Sequence, residues 1–268
     1  MPFLSGTANN KVRRHLLMLS AKFRLALIAL LLAVSALTPL PVFAVPDEIR
    51  VMTDDLTDAG DFSLGLHAAS VRARNGATTR HVEQGLIELS YGASETIELS
   101  VQLPVSKEPG WHANGANLEL QYIAPHDRLA GLYWGARIEL GRARAPLESE
   151  VTRSLEFRPI VGYRAGGWHA VLNTAWRAPL SGADHALSFE PSAKLARQVA
   201  PQTHLGVEYY VQSAQRANGA DAGLARRKLA LLVLDTRVHG IDLSFGVGRG
   251  LGPAADGPVV NIFAGFEL

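Results

Sequence analysis

The chain has 268 residues, no cysteine and a formal net charge of +1 at pH 7, from 26 Lys+Arg against 25 Asp+Glu. Without thiols there are no disulfides, thiolate metal sites, thiol catalysis or lipoprotein anchor. Residues 1–44 hold five of the 26 bases and none of the acids, so the remainder carries 21 − 25 = −4, and nucleic acid is not an expected partner.

Lys11, Arg13, Arg14, Lys22 and Arg24 precede an apolar run from Leu25 to Leu37, which Pro39 and Pro41 break before the small-residue stretch Val42-Phe43-Ala44. The run falls short of the roughly 20 residues a spanning helix needs. The pattern predicts a signal peptide over 1–44, beginning at Met1 or at Met18. Residues 45–61 carry Asp47, Glu48, Asp54, Asp55, Asp58 and Asp61 and are expected to form a solvated periplasmic arm.

From residue 62 onward, short runs with period two recur between clusters of Gly, Pro, Asn and Asp, the signature of strands and turns. About twelve can be read: Phe62–Val71, Gly85–Ala93, Thr96–Val105, Asn117–Ala124, Leu132–Gly141, Leu155–Tyr163, Trp168–Ala178, Leu187–Ala196, Leu205–Val211, Leu229–Val238, Ile241–Val247 and Val259–Leu268. One face of each is apolar or aromatic and the other largely polar, as in Ile97, Leu99, Val101 and Leu103 against Glu98, Ser100 and Gln102. Linkers after even-numbered runs are mostly tight (Ser94-Glu95, Arg164 to Gly167, Gln198 to Thr203, His239-Gly240). Those after odd-numbered runs include the longest: Ser106 to Ala116, Arg142 to Ser154, Gln212 to Arg226 and Gly248 to Pro258. This asymmetry predicts an all-β fold over 62–268: a closed antiparallel transmembrane β-barrel of about 12 strands, with short periplasmic turns, longer external loops and both termini periplasmic. Pro125 to Gly131 is long for a periplasmic turn. Pro159 and Pro191 fall inside strands and predict a bulge at each.

An apolar-outside barrel places Trp134, Tyr163, Trp168, Trp176, Tyr209, Phe245 and Phe266 against lipid, as interfacial girdles. The inward face then gathers Glu119, Arg137, Glu139, Glu156, Arg158, Arg177, Glu190, Lys194, Glu208, Asp235, Arg237 and Asp242. These charges either seal the lumen as ion pairs or line a narrow wet pore, the reading preferred here. Depending on register, Arg137 meets Glu156 and Glu139 meets Arg158.

Catalytic cues are weak. Trp111-His112-Ala113-Asn114-Gly115 resembles the His-x-Ser-Asn-Gly motif of outer-membrane phospholipase, but Asn114 stands where the nucleophile belongs. The other histidines lack metal-site spacing. The glycines from Gly246 to Gly252 do not match a dinucleotide fingerprint. No catalytic residue, metal or cofactor is expected.

The succession YGAS, ETIELSVQLPV and ANLELQYIAP, followed by LEFRPIVGYRAGGWHAVLNTAW, SFEPSAKLARQV, LGVEYY and the terminal strand, is similar to proteobacterial outer-membrane proteins of the phenol-degradation (meta-pathway) type. That resemblance implies an outer-membrane barrel with a role in uptake of small, in some cases aromatic, solutes. It carries over no functional residue. The expected function is a passive channel for small hydrophilic or amphipathic solutes in the outer membrane. The alternative is a non-conducting structural or surface-interaction barrel plugged by its charges, and less favoured is a lipid-modifying enzyme. Expected partners are outer-membrane lipid, small solutes and, through Val259–Leu268, the barrel-assembly machinery.

Overall fold

The computed structural model describes residues 49–75, 78–107, 110–144, 151–181, 187–213, 226–251 and 257–268. The expected leader over 1–44 and residues Asn218-Gly219 of the expected external linker lie outside them. Among the described residues alternation builds thirteen strands: β1 (Phe62–Asn75), β2 (Thr78–Ser94), β3 (Ile97–Lys107), β4 (Trp111–Ala113), β5 (Gly115–Ile123), β6 (Gly131–Arg144), β7 (Val151–Ala165), β8 (Trp168–Pro179), β9 (Ser188–Ala200), β10 (Thr203–Ser213), β11 (Arg226–Val238), β12 (Ile241–Leu251) and β13 (Pro258–Glu267). Neighbours in sequence pair antiparallel, and β13 returns to pair with β1 from Ser63↔Glu267 to Ser70↔Val260. The sheet is therefore a closed barrel with no free edge. Both β4 and β5 pair with β3, and the Asn114 amide between them donates to the Pro104 carbonyl at 2.8 Å. They form one staff of a twelve-stranded barrel, interrupted at Asn114.

Every expected strand is present, and most run further at the loop end. The linker expected from Ser106 to Ala116 is a hairpin, in which Lys107 pairs with Trp111. At the other rim Gly166 and Gly167 have φ of 55° and 78°, and His239 and Gly240 have 53° and 80°. Positive φ at both central residues gives the twist that a two-residue hairpin requires.

The two prolines correct the bulge expectation. Pro159 pairs with Ala136 and Pro191 with Thr174, both in unbroken register. The donor each proline lacks falls where a ladder is already absent. The β7–β8 pairing skips from Phe157↔Trp176 to Ile160↔Asn173, and the β9–β10 pairing stops at Ser192.

The solvated arm is also corrected. Ile49, Val51, Met52 and Asp54 are all buried, at 1–5 % exposure. Three apolar residues in four leave the segment no stable place in water, and the barrel interior takes it. It returns to the wall at Gly92, where the Gly60 amide donates to the Gly92 carbonyl at 2.7 Å. A Cβ on Gly92 would lie 2.2 Å from the Asp58 carbonyl oxygen, so only glycine admits the crossing.

Candidate lumen site

Strand parity places all twelve expected charges on the inward face, in register with buried neighbours. Their pairing differs from the expectation. Arg137 lies opposite Arg158, and Glu139 opposite Glu156 and also opposite Glu119. Like faces like directly, so the ion pairs form along a strand or to its other neighbour. Arg137 binds Glu119 on β5 and Glu139 at 3.2 Å. Glu156 accepts from Arg158 at 2.7 Å and from Arg177 on β8 at 2.9 Å. Lys194 bridges Glu208 at 3.0 Å and Asp235 at 2.7 Å. Arg237 joins Asp242 and Glu267 near the turn-side end, while Glu190 lies one β9 step from Ser192. Arg137 and Glu156 are each 2 % exposed, so the wet face preferred from sequence is here a buried one.

The other wall was missed. Leu229, Leu231, Val233, Val259 and Tyr210 are buried and point inward, joined by Ile160 and Val171. Their signal is the unbroken apolar run Leu229–Leu234, which marks a strand apolar on both faces rather than one.

Residues 49–61 lie between these walls. Ile49, Val51, Met52 and Leu56 pack on the apolar wall. The opposite side borders a polar recess with Arg50, Thr53, Asp55, Glu88, Glu98, Glu119 and Gln121. Polar clamps fix the segment's backbone. The Met52 amide donates to Asn173 Oδ1 at 2.7 Å, and Asn173 Nδ2 donates back to the Met52 carbonyl at 3.0 Å. Asn261 holds the Ile49 carbonyl, and the Thr57 amide donates to Glu98 at 2.6 Å. Arg50 stacks over Phe263, 4.1 Å from its centroid.

Near the turn-side rim Asp54 accepts both guanidinium nitrogens of Arg164, one at 2.6 Å, and contacts His126 Nε2 at 2.7 Å. Burial raises the Asp54 pKa, but these partners outweigh it and hold the carboxyl below its ordinary value. His126 stands on the turn that looked too long from sequence. Its length carries the imidazole to Asp54, with Nδ1 2.9 Å from the Ala124 carbonyl.

On the outer face Trp134, Tyr163, Trp168, Trp176, Tyr209 and Phe245 are 38–55 % exposed. Phe266 is not: it shares their parity but is 8 % exposed, between Leu64 and Ile241 on its two neighbouring strands.

No family model matches the chain, and no curated protein is similar to it. The fold does have solved likenesses. An outer membrane channel from Pseudomonas putida F1 superposes with a TM-score of 0.60 at 13 % identity, covering 82 % of this chain and 100 % of that one. The translocator domain of the autotransporter NalP from Neisseria meningitidis gives 0.49 at 11 % identity, covering 77 % and 88 %. OmpT, an outer membrane protein of Vibrio cholerae, gives 0.36 at 12 % identity, covering 82 % and 100 %.

The expectation of a non-enzyme is withdrawn. A shared barrel fold does not decide catalysis. A serine hydroxyl does stand near His112 in the fold. Ser106 is paired with His112 across the β3–β4 hairpin, its Oγ 3.4 Å from Nε2. Ser106 is itself fully buried and bonded to Asn114, and Arg144 donates to the same His112 nitrogen at 2.5 Å. Closure, the apolar girdle and the Pseudomonas likeness make the chain an outer-membrane β-barrel.

Proposed function

We propose that the barrel is a passive channel for small amphipathic solutes, closed by residues 49–61 and opened when that segment withdraws. The observation that supports this is the two-sided lumen. A charged wall faces an apolar wall, with a peptide segment of matching polarity between them. A solute with one polar and one apolar side replaces that segment's contacts on both walls, which a purely hydrophilic solute cannot do. The Pseudomonas likeness, itself described as a channel, agrees with the reading.

The test is uptake into liposomes carrying the refolded protein. A small aromatic amine or acid should enter faster than a sugar of equal size, and single-channel recordings should show brief openings. The second reading, a sealed structural barrel, is favoured by the buried ion pairs at Arg137 and Glu156. It requires no conductance from the parent or from a variant with the segment released.

Orientation has its own test. The rim bearing the tight turns is periplasmic in this reading. An epitope inserted at Asn218-Gly219 should therefore be reached by antibody on intact cells. Labelling only after permeabilisation would invert the barrel.

A further inference from the structure

We propose that Arg142 and Arg153 form a binding site, on the outside of the barrel, for the phosphate of an outer-leaflet glycolipid. The two residues are direct partners in the β6–β7 ladder, and both are exposed. Strand parity puts Arg142 on the face of Leu132, Trp134, Ile138 and Leu140, and Arg153 on that of Leu155, Phe157, Val161 and Tyr163. Two arginine side chains thus leave directly opposed ladder positions on the outward face, at the top of the lipid-facing surface. Like charges directly opposite destabilise a ladder, and among the described residues no carboxylate pairs with either. The outward Arg197 nearer the other rim is instead stacked over Trp168, 5.1 Å from its centroid.

Height above the bilayer selects the ligand. From Leu132 to Leu140 the strand rises about 20 Å, at roughly 3.3 Å per residue and a tilt near 40°. That nearly fills an apolar band of about 25 Å. The arginine row comes one outward step later, about 5 Å higher, at the level of headgroups. The same row carries Ala116 beside Arg142 and Leu180, whose amide donates to the Arg153 carbonyl at 2.7 Å. The small Ala116 leaves room for a headgroup, and Leu140 and Leu155 below meet acyl chains. Paired guanidinium groups match phosphate through parallel N–H donors. A site atop an apolar belt commits to a phosphate tethered to lipid rather than one free in water. The proposal is independent of the channel reading. It needs only the loop-side rim to face outward, which the Asn218-Gly219 epitope reports separately.

The experiment measures binding of bis-phosphorylated lipid A to the full-length refolded barrel in detergent. Arg142→Gln/Arg153→Gln should weaken it by about tenfold or more. Lys228→Gln/Arg249→Gln, an equal charge loss at exposed positions of β11 and β12, should stay within about twofold. Dephosphorylated lipid A and phosphatidylglycerol should bind the parent no better than lipid A binds the first variant, and millimolar inorganic phosphate should not compete. Equal loss in both variants, no loss in either, equal binding of phosphatidylglycerol, or displacement by inorganic phosphate would each overturn the site. Each arginine replaced singly carries the same comparison, should the double variant fail to fold.

Discussion

Arg137→Ala will unfold at much lower denaturant than the parent, a loss of about 3–5 kcal/mol. The guanidinium is 2 % exposed and lies between Glu119 and Glu139, which are themselves directly opposite in the β5–β6 ladder. It also reaches the Met52 sulfur at 3.1 Å. Truncation leaves two carboxylates facing each other without their shared cation and loosens the luminal segment from the wall. Arg158→Ala should cost clearly less, because Glu156 keeps Arg177. Urea titration of both variants in one detergent, followed by tryptophan fluorescence, checks the ranking. A loss below about 1 kcal/mol for Arg137→Ala would mean the pairs are solvated, as surface pairs are.

Asp54→Asn should produce the largest change in conductance. Asp54 is the segment's ionic anchor, paired with Arg164 and His126 and 3 % exposed at its side chain. Losing about 3 kcal/mol of docking shifts the docked-to-released ratio about 150-fold. Open time should rise accordingly, while the barrel still resists detergent until heated. The pH dependence has a fixed sign. The Asp54 carboxyl is held below its ordinary value, so its contribution is complete above that ordinary value and disappears as pH falls through the lowered one. The parent should open on acidification below the usual carboxylate range, whereas the asparagine variant should already be open at neutral pH and respond far less. Tyr133, Arg164 and Asp55 surround the carboxyl, so Arg164→Gln should reproduce the effect. A closed Asp54→Asn channel at every pH would remove the segment from the mechanism.

The barrel was legible because alternation is a property of single strands. Ile97 to Leu103 or Leu132 to Leu140 shows its two faces without knowledge of a neighbour. Register is a property of pairs, and it was not legible. Nothing in the alternation of β6 and β7 says that Arg137 meets Arg158 rather than Glu156, because a slip of two residues preserves every face. The interior followed the same divide. Charges at Glu119 or Glu156 announce a polar inward face, whereas Leu229 and Leu231 read as lipid-facing unless the whole run is seen to be apolar on both sides. The segment at 49–61 misled through its acids. The six carboxylates of residues 45–61 suggested water, although Asp54 binds both Arg164 and His126 inside the barrel.

The closure of β1 on β13 also dictates an order of events in folding. Every other seam joins strands adjacent in sequence and forms through a local hairpin. The last seam brings Ser63–Ser70 to Val260–Glu267 and carries the longest loop-closure cost in the molecule. Until it forms, the nascent sheet exposes two live edges, one at each end, that can recruit a strand from another chain. The slowest step and the most aggregation-prone species should therefore coincide. A peptide spelling Val260–Glu267, added during refolding, should stall the protein at that stage.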